Sequence, residues 1–356
     1  MVGKDIDSSN LGKLWHSVEQ QGLSEYSYKN YRSSLNVLID MMSEEAGKQV
    51  SLEWVLSHPE RTVQRLCALY PNTNTQKTML GAILSVFKYN KGLLAHDGWR
   101  KHKEIYYAAF RKMDEVCREF YDSLQMTERE KQGWVDWADI VKMELELRRT
   151  SYATFEHLLL AMYVLLGGPG KISGCPLRAD FNHVRLCHKD LPIENEESYL
   201  NLYEGKLVLK TYKTAKHYGH LVRQVPQELL KIIEKSLEKE PRDYLFVDSI
   251  HGKPYIKNSF TKQCNRTLKY LFGKPLTIRL IRQAFISSLN FSELTPGELR
   301  GISKAMCHNT AQQGAYRRRA EKKPAAVPQP EAETTAQAMK NFRRKKGPLV
   351  TVIKSR

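Results

Sequence analysis

The sequence predicts a mainly α-helical protein with a small antiparallel β-sheet, arranged as a helical domain followed by a mixed α+β domain. Two patterns predict this class: apolar residues recur at helical spacing through the first third of the chain, and three short alternating runs follow one another near its middle. The length of 356 residues and the 41% apolar composition are sufficient for two hydrophobic cores.

The charge balance indicates a polyanionic partner. Lysine and arginine number 56 against 39 acidic residues, and the net charge of +17 favours nucleic acid or an acidic surface. The longest apolar run, Leu158 to Leu166, is far too short to cross a bilayer. Residues Met1 to Asn10 contain no apolar signal core, so we expect a soluble, intracellular protein.

Six cysteines are spread singly along the chain, without the close pairs that bind zinc or form a small disulfide framework. We interpret them as reduced structural thiols. They are Cys67, Cys117, Cys175, Cys187, Cys264 and Cys307.

Helical periodicity defines the first domain, residues 1–125. Ser24 to Met42 reads as a helix with Ser24 as its N-cap, Thr75 to Tyr89 as a second amphipathic helix, and Glu104 to Leu124 as a third. The apolar face of the first helix carries Tyr28, Tyr31, Leu35, Leu38 and Met42.

The second domain, residues 127–320, opens on a helix-capping pattern, Thr127 followed three residues later by Glu130. A helix over Trp134 to Leu147 follows, and Thr154 to Leu166 is apolar all round, as in a helix buried within a core. A Gly/Pro-rich loop over Gly167 to Pro176 comes next.

Three alternating runs then predict a small antiparallel meander, with turns at Glu204-Gly205 and around Gly219. The runs are Tyr199 to Tyr203, Leu207 to Tyr212 and Leu221 to Val225.

Residues 317–356 hold 12 lysines and arginines against three acidic residues, so much of the excess charge lies in this short stretch. We interpret residues 321–356 as a basic, flexible tail in which Lys323 to Ala338 is a linker and Pro348 to Ile353 a short apolar segment. Its basic clusters are typical of nuclear-localisation signals, nonspecific DNA anchors or solvated charge, and these readings stay open.

Five residue motifs with potential catalytic side chains follow one another along the second domain. Arg178 comes after the buried helix, Lys213 stands in a turn of the meander, and Arg279-Leu-Ile-Arg282, His308 and Tyr316 come later. Here the chain resembles the tyrosine recombinases, or integrases, whose signature is Arg, Lys, His-x-x-Arg, His or Trp, and Tyr. The motifs cover residues 127–320, whereas residues 11–125 match only as the expected helical core-binding domain.

The resemblance implies DNA strand cleavage without metal or cofactor. Tyr316 would attack phosphorus and form a phosphotyrosyl bond, and Arg178 and Arg282 would grip the phosphate, since a guanidinium offers paired donors and keeps its charge. Lys213 would protonate the leaving 5′ oxygen, and His308 would donate to the phosphate or relay the tyrosine proton.

Three features depart from the family pattern or from its usual spacing. Arg279 stands where the family has histidine, so we expect phosphate contact there without general-base help. Asp180, expected to hold Arg178 or His308, follows Arg178 by two positions where many bacterial relatives have three. The loop before Arg178 is also long.

Simpler interpretations stay open for each residue. Tyr316 alone reads as a packed or surface aromatic, and His308 as a core or helix-terminal histidine. Arg279 and Arg282 are also typical of a basic helix face, and Asp180 of a surface turn. Lys216 shares the turn with Lys213, although the Lys-Thr dipeptide favours Lys213. We assign nonspecific DNA contact to Lys216, Arg317, Arg318 and Arg319.

The predicted protein is a two-domain clamp on double-stranded DNA, acting as a homotetramer on two DNA sites in the integration, excision or resolution of a mobile or viral element. It would be DNA-associated in a prokaryotic cytoplasm or a eukaryotic nucleus, with residues 321–356 as a candidate trans-docking arm. A type IB topoisomerase and a non-catalytic DNA-binding derivative are the alternatives. DNA relaxation by monomers would favour the first, and the absence of a covalent adduct the second.

Overall fold

The computed structural model describes residues 25–167, 174–187 and 197–319. The part of the chain up to Arg319 forms one compact unit, and the domain boundary near residue 126 stays a prediction. The Ser24 cap, most of the loop before Arg178, and the linker and docking segment of the tail lie outside the described residues.

Five α-helices form the first part of the described chain, with a short 3-10 helix at Lys91–Ala95 before the last of them. The helices are α1 (Glu25–Ala46), α2 (Leu52–Ser57), α3 (Pro59–Leu69), α4 (Thr73–Tyr89) and α5 (Asp97–Asp122). All three predicted helices are therefore confirmed, with ends shifted by up to seven residues.

One apolar core holds these helices together. Leu38 and Met42 of α1 are fully buried against Ile83 and Val86 of α4, as helical spacing requires of an amphipathic face. Tyr106 of α5 is also buried, and its hydroxyl donates to the Val55 carbonyl of α2.

The sequence pattern missed α2 and α3. Helix α2 has only six residues, too few for a 3.6-residue period to show. Its boundaries come from local chemistry instead. The Ser51 hydroxyl accepts from the Trp54 amide at its start, and Pro59 occupies the first turn of α3.

Nine further helices and four strands make up the rest. The helices are α6 (Glu128–Gly133), α7 (Trp137–Thr150), α8 (Phe155–Val164), α9 (Ala215–Tyr218), α10 (Gln227–Lys239), α11 (Lys257–Phe272), α12 (Ile278–Ser288), α13 (Pro296–Ala305) and α14 (Thr310–Tyr316) within the described residues. The strands are β1 (Val184–Cys187), β2 (Ser198–Asn201), β3 (Lys206–Leu209) and β4 (Leu221–Gln224).

The four strands lie in the order β1-β2-β3-β4. Strands β2, β3 and β4 are antiparallel neighbours, with Leu200 opposite Leu207 and Val208 opposite Val222, so the predicted meander is confirmed. Strand β1 runs parallel to β2, which makes the sheet mixed rather than purely antiparallel. The sequence missed β1 because its four residues are mostly buried and do not alternate.

Two helices place the residues of interest. Helix α8 is buried from His157 to Val164, as its all-round apolar sequence predicts, and Thr154 caps it. Helix α12 begins at the Thr277 cap and is buried over most of its length, Arg282 included. The predicted fold class, mainly helical with a small sheet, is confirmed.

Candidate active site

Tyr316, the last residue of α14, packs between a histidine and an arginine. Its ring stacks on the His308 imidazole with centroids 5.4 Å apart and planes inclined by 28°. The Arg282 guanidinium carbon lies 5.3 Å from the Tyr316 ring centroid. Three side chains singled out in the sequence are therefore in direct contact.

Arg282 is fully enclosed and bonded mainly to backbone. Its guanidinium donates to the Pro176 carbonyl at 2.8 Å, to the Met306 carbonyl at 3.0 Å and to Nδ1 of His308 at 3.1 Å. Its Nε has no partner in the described structure. Since two carbonyls and an imidazole fix the group, its orientation is set before any substrate arrives.

Three consecutive backbone carbonyls at the end of α13 each accept from a different arginine. Arg223 of β4 donates to Ala305, Arg282 to Met306, and Arg178 to Cys307. The last carbonyls of a helix lack partners within it and form the negative end of its dipole. The end of α13 therefore collects three guanidinium groups.

Arg178 is half-buried and lies beside the connection between β3 and β4, residues 210–220. It donates to the Cys307 carbonyl at 3.0 Å and to the Thr214 hydroxyl at 3.4 Å, and Thr214 donates to the same carbonyl at 3.2 Å. Lys213 is the exposed neighbour of Thr214. The connection that carries Lys213 is thus fixed to the arginine site, while the amine itself faces solvent.

Cys307 has a left-handed backbone, with φ of 54°. Its amide donates to the Lys304 carbonyl and the next amide, of His308, donates to Ser303, which ends α13 in a tight turn. This turn presents the Cys307 carbonyl to Arg178 and the His308 imidazole to Arg282.

His308 is a neutral hydrogen-bond donor at neutral pH. Burial, reinforced by the charges of Arg282 and Arg178, lowers the pKa of His308 to about 3. Because a guanidinium only donates, Nδ1 is the acceptor and the imidazole proton lies on Nε2. That Nε2 is buried without a partner in the described structure, so it is an unused donor beside Tyr316 and Arg282.

The environment of Tyr316 makes its hydroxyl more acidic than that of a free tyrosine, because the pKa is lowered. Burial raises the pKa of its hydroxyl, but the charges of Arg282 and Arg178 outweigh that effect and leave the pKa below its ordinary value of 10. A lowered pKa makes a phenol easier to deprotonate and therefore easier to activate as a nucleophile.

The buried, neutral His308 makes stability depend on pH. Between a folded pKa of about 3 and the ordinary value of 6.5, the unfolded chain binds a proton that the folded protein does not. The free energy of unfolding should therefore fall as the pH falls through 6.5, by about 2 kcal/mol between pH 8 and pH 5. Urea unfolding should be measured over this pH range for the wild type and for His308→Gln. The free energy of unfolding should depend less steeply on pH in the variant. Parallel slopes would contradict a neutral His308.

Asp180 does not have the position expected of it. Its buried carboxylate accepts from Lys257 of α11 at 3.1 Å, rather than from Arg178 or His308. The expected role of holding those two residues is therefore corrected to a pairing with Lys257. The sequence contains no signal for a partner 77 positions away.

Arg279 is more exposed than Arg178 and Arg282. Its side chain is 60% exposed, and its guanidinium lies 3.7 Å from the Glu130 carboxylate of α6. Its charge nevertheless contributes to the lowered pKa of Tyr316. Arg279 is thus an exposed cation, paired with Glu130, whose charge acts on Tyr316.

The three arginines after Tyr316 differ in environment. Arg317 is exposed and lies over the Phe291 ring at 4.7 Å, and Arg319 is exposed. Arg318 is buried and donates to Glu130 at 3.3 Å. The expectation of DNA contact is thus wrong for Arg318. Lys216, on α9, is exposed, and its DNA contact stays a prediction.

Sequence reasoning missed three residues of this region. Arg223 reads as an alternating strand residue, and Thr214 as part of the Lys-Thr dipeptide. Glu130 was identified as a helix cap, which it is, but it also binds two arginines. Arg223 lies in a predicted strand and Glu130 at a predicted helix cap. A charged residue within a predicted element is the signal that could have identified them.

Within the described ranges, no three His, Cys, Asp or Glu side chains cluster closely enough to hold a metal ion. Over the same ranges, none of the helices combines the length and apolar character that crossing a membrane requires.

Comparison with known proteins shows the fold. No family model matches the sequence, and no curated protein is detectably similar to it. A structure of the Tn1549 transposon integrase in complex with transposon right end DNA matches with 11% identity and a TM-score of 0.52, covering 94% of this chain and 98% of that chain. A XerA recombinase structure gives the same identity and coverage with a TM-score of 0.37. This chain therefore has the fold of the transposon integrase.

Proposed function

We propose that this protein cleaves and rejoins DNA strands through a 3′-phosphotyrosyl intermediate, as a recombinase or integrase. One observation carries the proposal. Arg178, Arg282, His308 and Tyr316 come from separate stretches of sequence and meet around the end of α13, with a hydroxyl, a neutral N–H donor and two guanidinium groups in one place.

The reaction follows from these groups. The Tyr316 hydroxyl gives its proton to a water molecule and attacks phosphorus, forming a phosphotyrosyl bond on the 3′ side as the bond to the 5′ oxygen breaks and that oxygen takes up a proton. The nearby arginine charges lower the pKa of Tyr316 and so ease the first step. Rejoining is the reverse attack by a free 5′ hydroxyl, so no net energy source is needed.

Negative charge develops on the non-bridging phosphate oxygens during the attack. Arg178 uses one terminal nitrogen for Cys307 and Thr214, which leaves its other donors for phosphate. The His308 Nε2–H adds a neutral donor. Fixed donors that need no rearrangement stabilise such charge most effectively.

Lys213 is the proposed acid for the departing 5′ oxygen. Its neighbour Thr214 is bound to the Cys307 carbonyl, which keeps this connection beside the site. The exposed amine can reach a bound strand, and proton donation by a positioned side chain assists leaving-group departure. Arg279, also exposed beside Tyr316, is assigned to phosphate contact.

Double-stranded DNA is the proposed partner. The net charge of +17 attracts it, and the Tn1549 integrase, which shares the fold, has been solved with transposon DNA. Action as a tetramer on two sites, and association with DNA inside the cell, complete the proposal. A chain that only binds DNA would not need a lowered tyrosine pKa beside one buried and one half-buried arginine.

The test is covalent trapping. The protein is incubated with nicked suicide DNA, whose cleavage releases a short fragment and prevents rejoining. We expect a denaturant-resistant protein–DNA adduct, and peptide mapping should locate the DNA on the peptide that contains Tyr316. An adduct on another residue, or none on any of several candidate DNA sites, would contradict the proposal.

Exposed and buried cations should differ in their effect on DNA binding. Arg319→Ala and Lys216→Ala should each reduce the slope of log affinity against log salt by about 0.9, because each removes one phosphate contact. Arg318→Met should leave the slope unchanged, because that guanidinium is buried against Glu130. Binding titrations at several salt concentrations give all three slopes. A smaller slope for Arg318→Met alone would reverse the assignment.

A further inference from the structure

We infer that Glu130 is a positioning residue for Tyr316, acting through Arg318; this inference rests on the proposed function. Glu130, Gln283 and Arg318 are called the Glu130 anchor. The anchor joins helix α6, which opens the second domain, to α12, which carries Arg282, and to the segment directly behind the nucleophile.

The Glu130 carboxylate is saturated with donors. It accepts from Gln283 at 2.9 Å, from two nitrogens of Arg318 at 3.3 Å and from the Thr127 amide at 3.0 Å, and the exposed Arg279 guanidinium lies 3.7 Å from it. Its side chain is only 12% exposed and that of Arg318 is fully buried. A buried guanidinium that loses its carboxylate is costly, so these contacts hold Arg318 in one place.

Arg318 in turn fixes the end of the tyrosine helix. It donates to the Ala315 and Arg317 carbonyls, each at 2.7 Å, which flank Tyr316 in the sequence. Its amide donates to Ser287 of α12 at 2.9 Å. Terminal carbonyls of a helix otherwise lack partners, so Arg318 supplies the C-terminal cap of α14.

The following residue attaches the segment to the first part of the chain. The Arg319 amide donates to the Leu124 carbonyl at 2.9 Å, and the Arg318 guanidinium lies 5.6 Å from the Tyr121 ring centroid of α5. The backbone behind Tyr316 is thus held from α5, α6 and α12 together. Tyr316 itself needs no contact with Glu130 for its position to depend on this anchor.

The inference is tested with Glu130→Ala, and Glu128→Ala is its matched control. Glu128 lies on the same helix, has the same charge and is 83% exposed, outside the anchor. We expect Glu130→Ala to lower the single-turnover rate of adduct formation about tenfold, with DNA affinity within about twofold of the wild type. Glu128→Ala should match the wild type, and Glu130→Gln, which keeps an acceptor oxygen, should recover part of the rate.

Two further measurements separate positioning from general damage. Hydrogen exchange should increase at the Arg318 and Arg319 amides of Glu130→Ala while α8 and α12 stay protected. In a double-mutant cycle, Arg318→Met added to Glu130→Ala should cost no further rate, because the pair acts as one unit.

The outcomes are distinct. If the wild type forms no adduct on any substrate, the proposed function fails. The anchor is tested separately: unchanged hydrogen exchange at the Arg318 and Arg319 amides of Glu130→Ala would overturn it. If the wild type forms the adduct, an unchanged rate in Glu130→Ala overturns the inference. A rate lost equally in Glu128→Ala overturns it as well.

Discussion

Tyr316→Phe should abolish the covalent protein–DNA adduct while leaving DNA affinity and fold unchanged. The substitution removes one oxygen and keeps the ring that stacks on His308 and lies beside Arg282. In the proposed reaction Tyr316 forms the phosphotyrosyl bond, so its loss should remove the reaction rather than slow it. The measurement is adduct yield on suicide DNA beside a binding titration on the same duplex.

Tyr212→Phe is the matched control. Tyr212 lies in the same region, and its hydroxyl donates to the Gly219 carbonyl within the β3–β4 connection. Burial raises the pKa of Tyr212 to about 12, opposite in direction to that of Tyr316. Tyr212→Phe should therefore still form the adduct. Adduct formation by Tyr316→Phe would remove the basis of the proposed function.

Arg178→Ala should lower the rate of cleavage by about a thousandfold with little change in DNA affinity. A pre-positioned donor to developing charge contributes roughly two to three orders of magnitude in rate, and Arg178 is the half-buried guanidinium with donors to spare. One phosphate contact among many contributes little to overall affinity. Single-turnover cleavage and a binding titration separate the two effects.

Arg282→Ala should lose cleavage similarly and should also destabilise the fold. Its guanidinium is fully buried and holds Pro176, Met306 and His308, so alanine leaves two buried carbonyls without donors. Arg178→Ala should unfold near the wild-type urea concentration and Arg282→Ala well below it. Wild-type cleavage by a folded Arg178→Ala would remove that residue from the site.

The order of motifs in the sequence predicted which side chains lie together but not what surrounds them. Arg178, Arg282, His308 and Tyr316 lie close together, as the resemblance implied. Lys213 lies on the expected connection, and its assignment as the acid stays a prediction.

The partners of buried charges could not be predicted. Asp180 pairs with Lys257, and Arg318 pairs with Glu130 across 188 positions. Such pairs depend on how helices pack, which period and propensity do not specify. Helices α2 and α3 and strand β1 were missed because elements of four to eleven residues give weak patterns, and none of the helices α10 to α14 after the meander was predicted.

The turn that closes α13 has a consequence for how such proteins diverge. Three arginines are received by the main-chain oxygens of Ala305, Met306 and Cys307, and every amino acid provides that oxygen. The side chains at these three positions can therefore be substituted while the backbone carbonyl oxygens still accept from the arginines. The fold of such a chain can therefore stay recognisable after its sequence similarity to relatives has been lost.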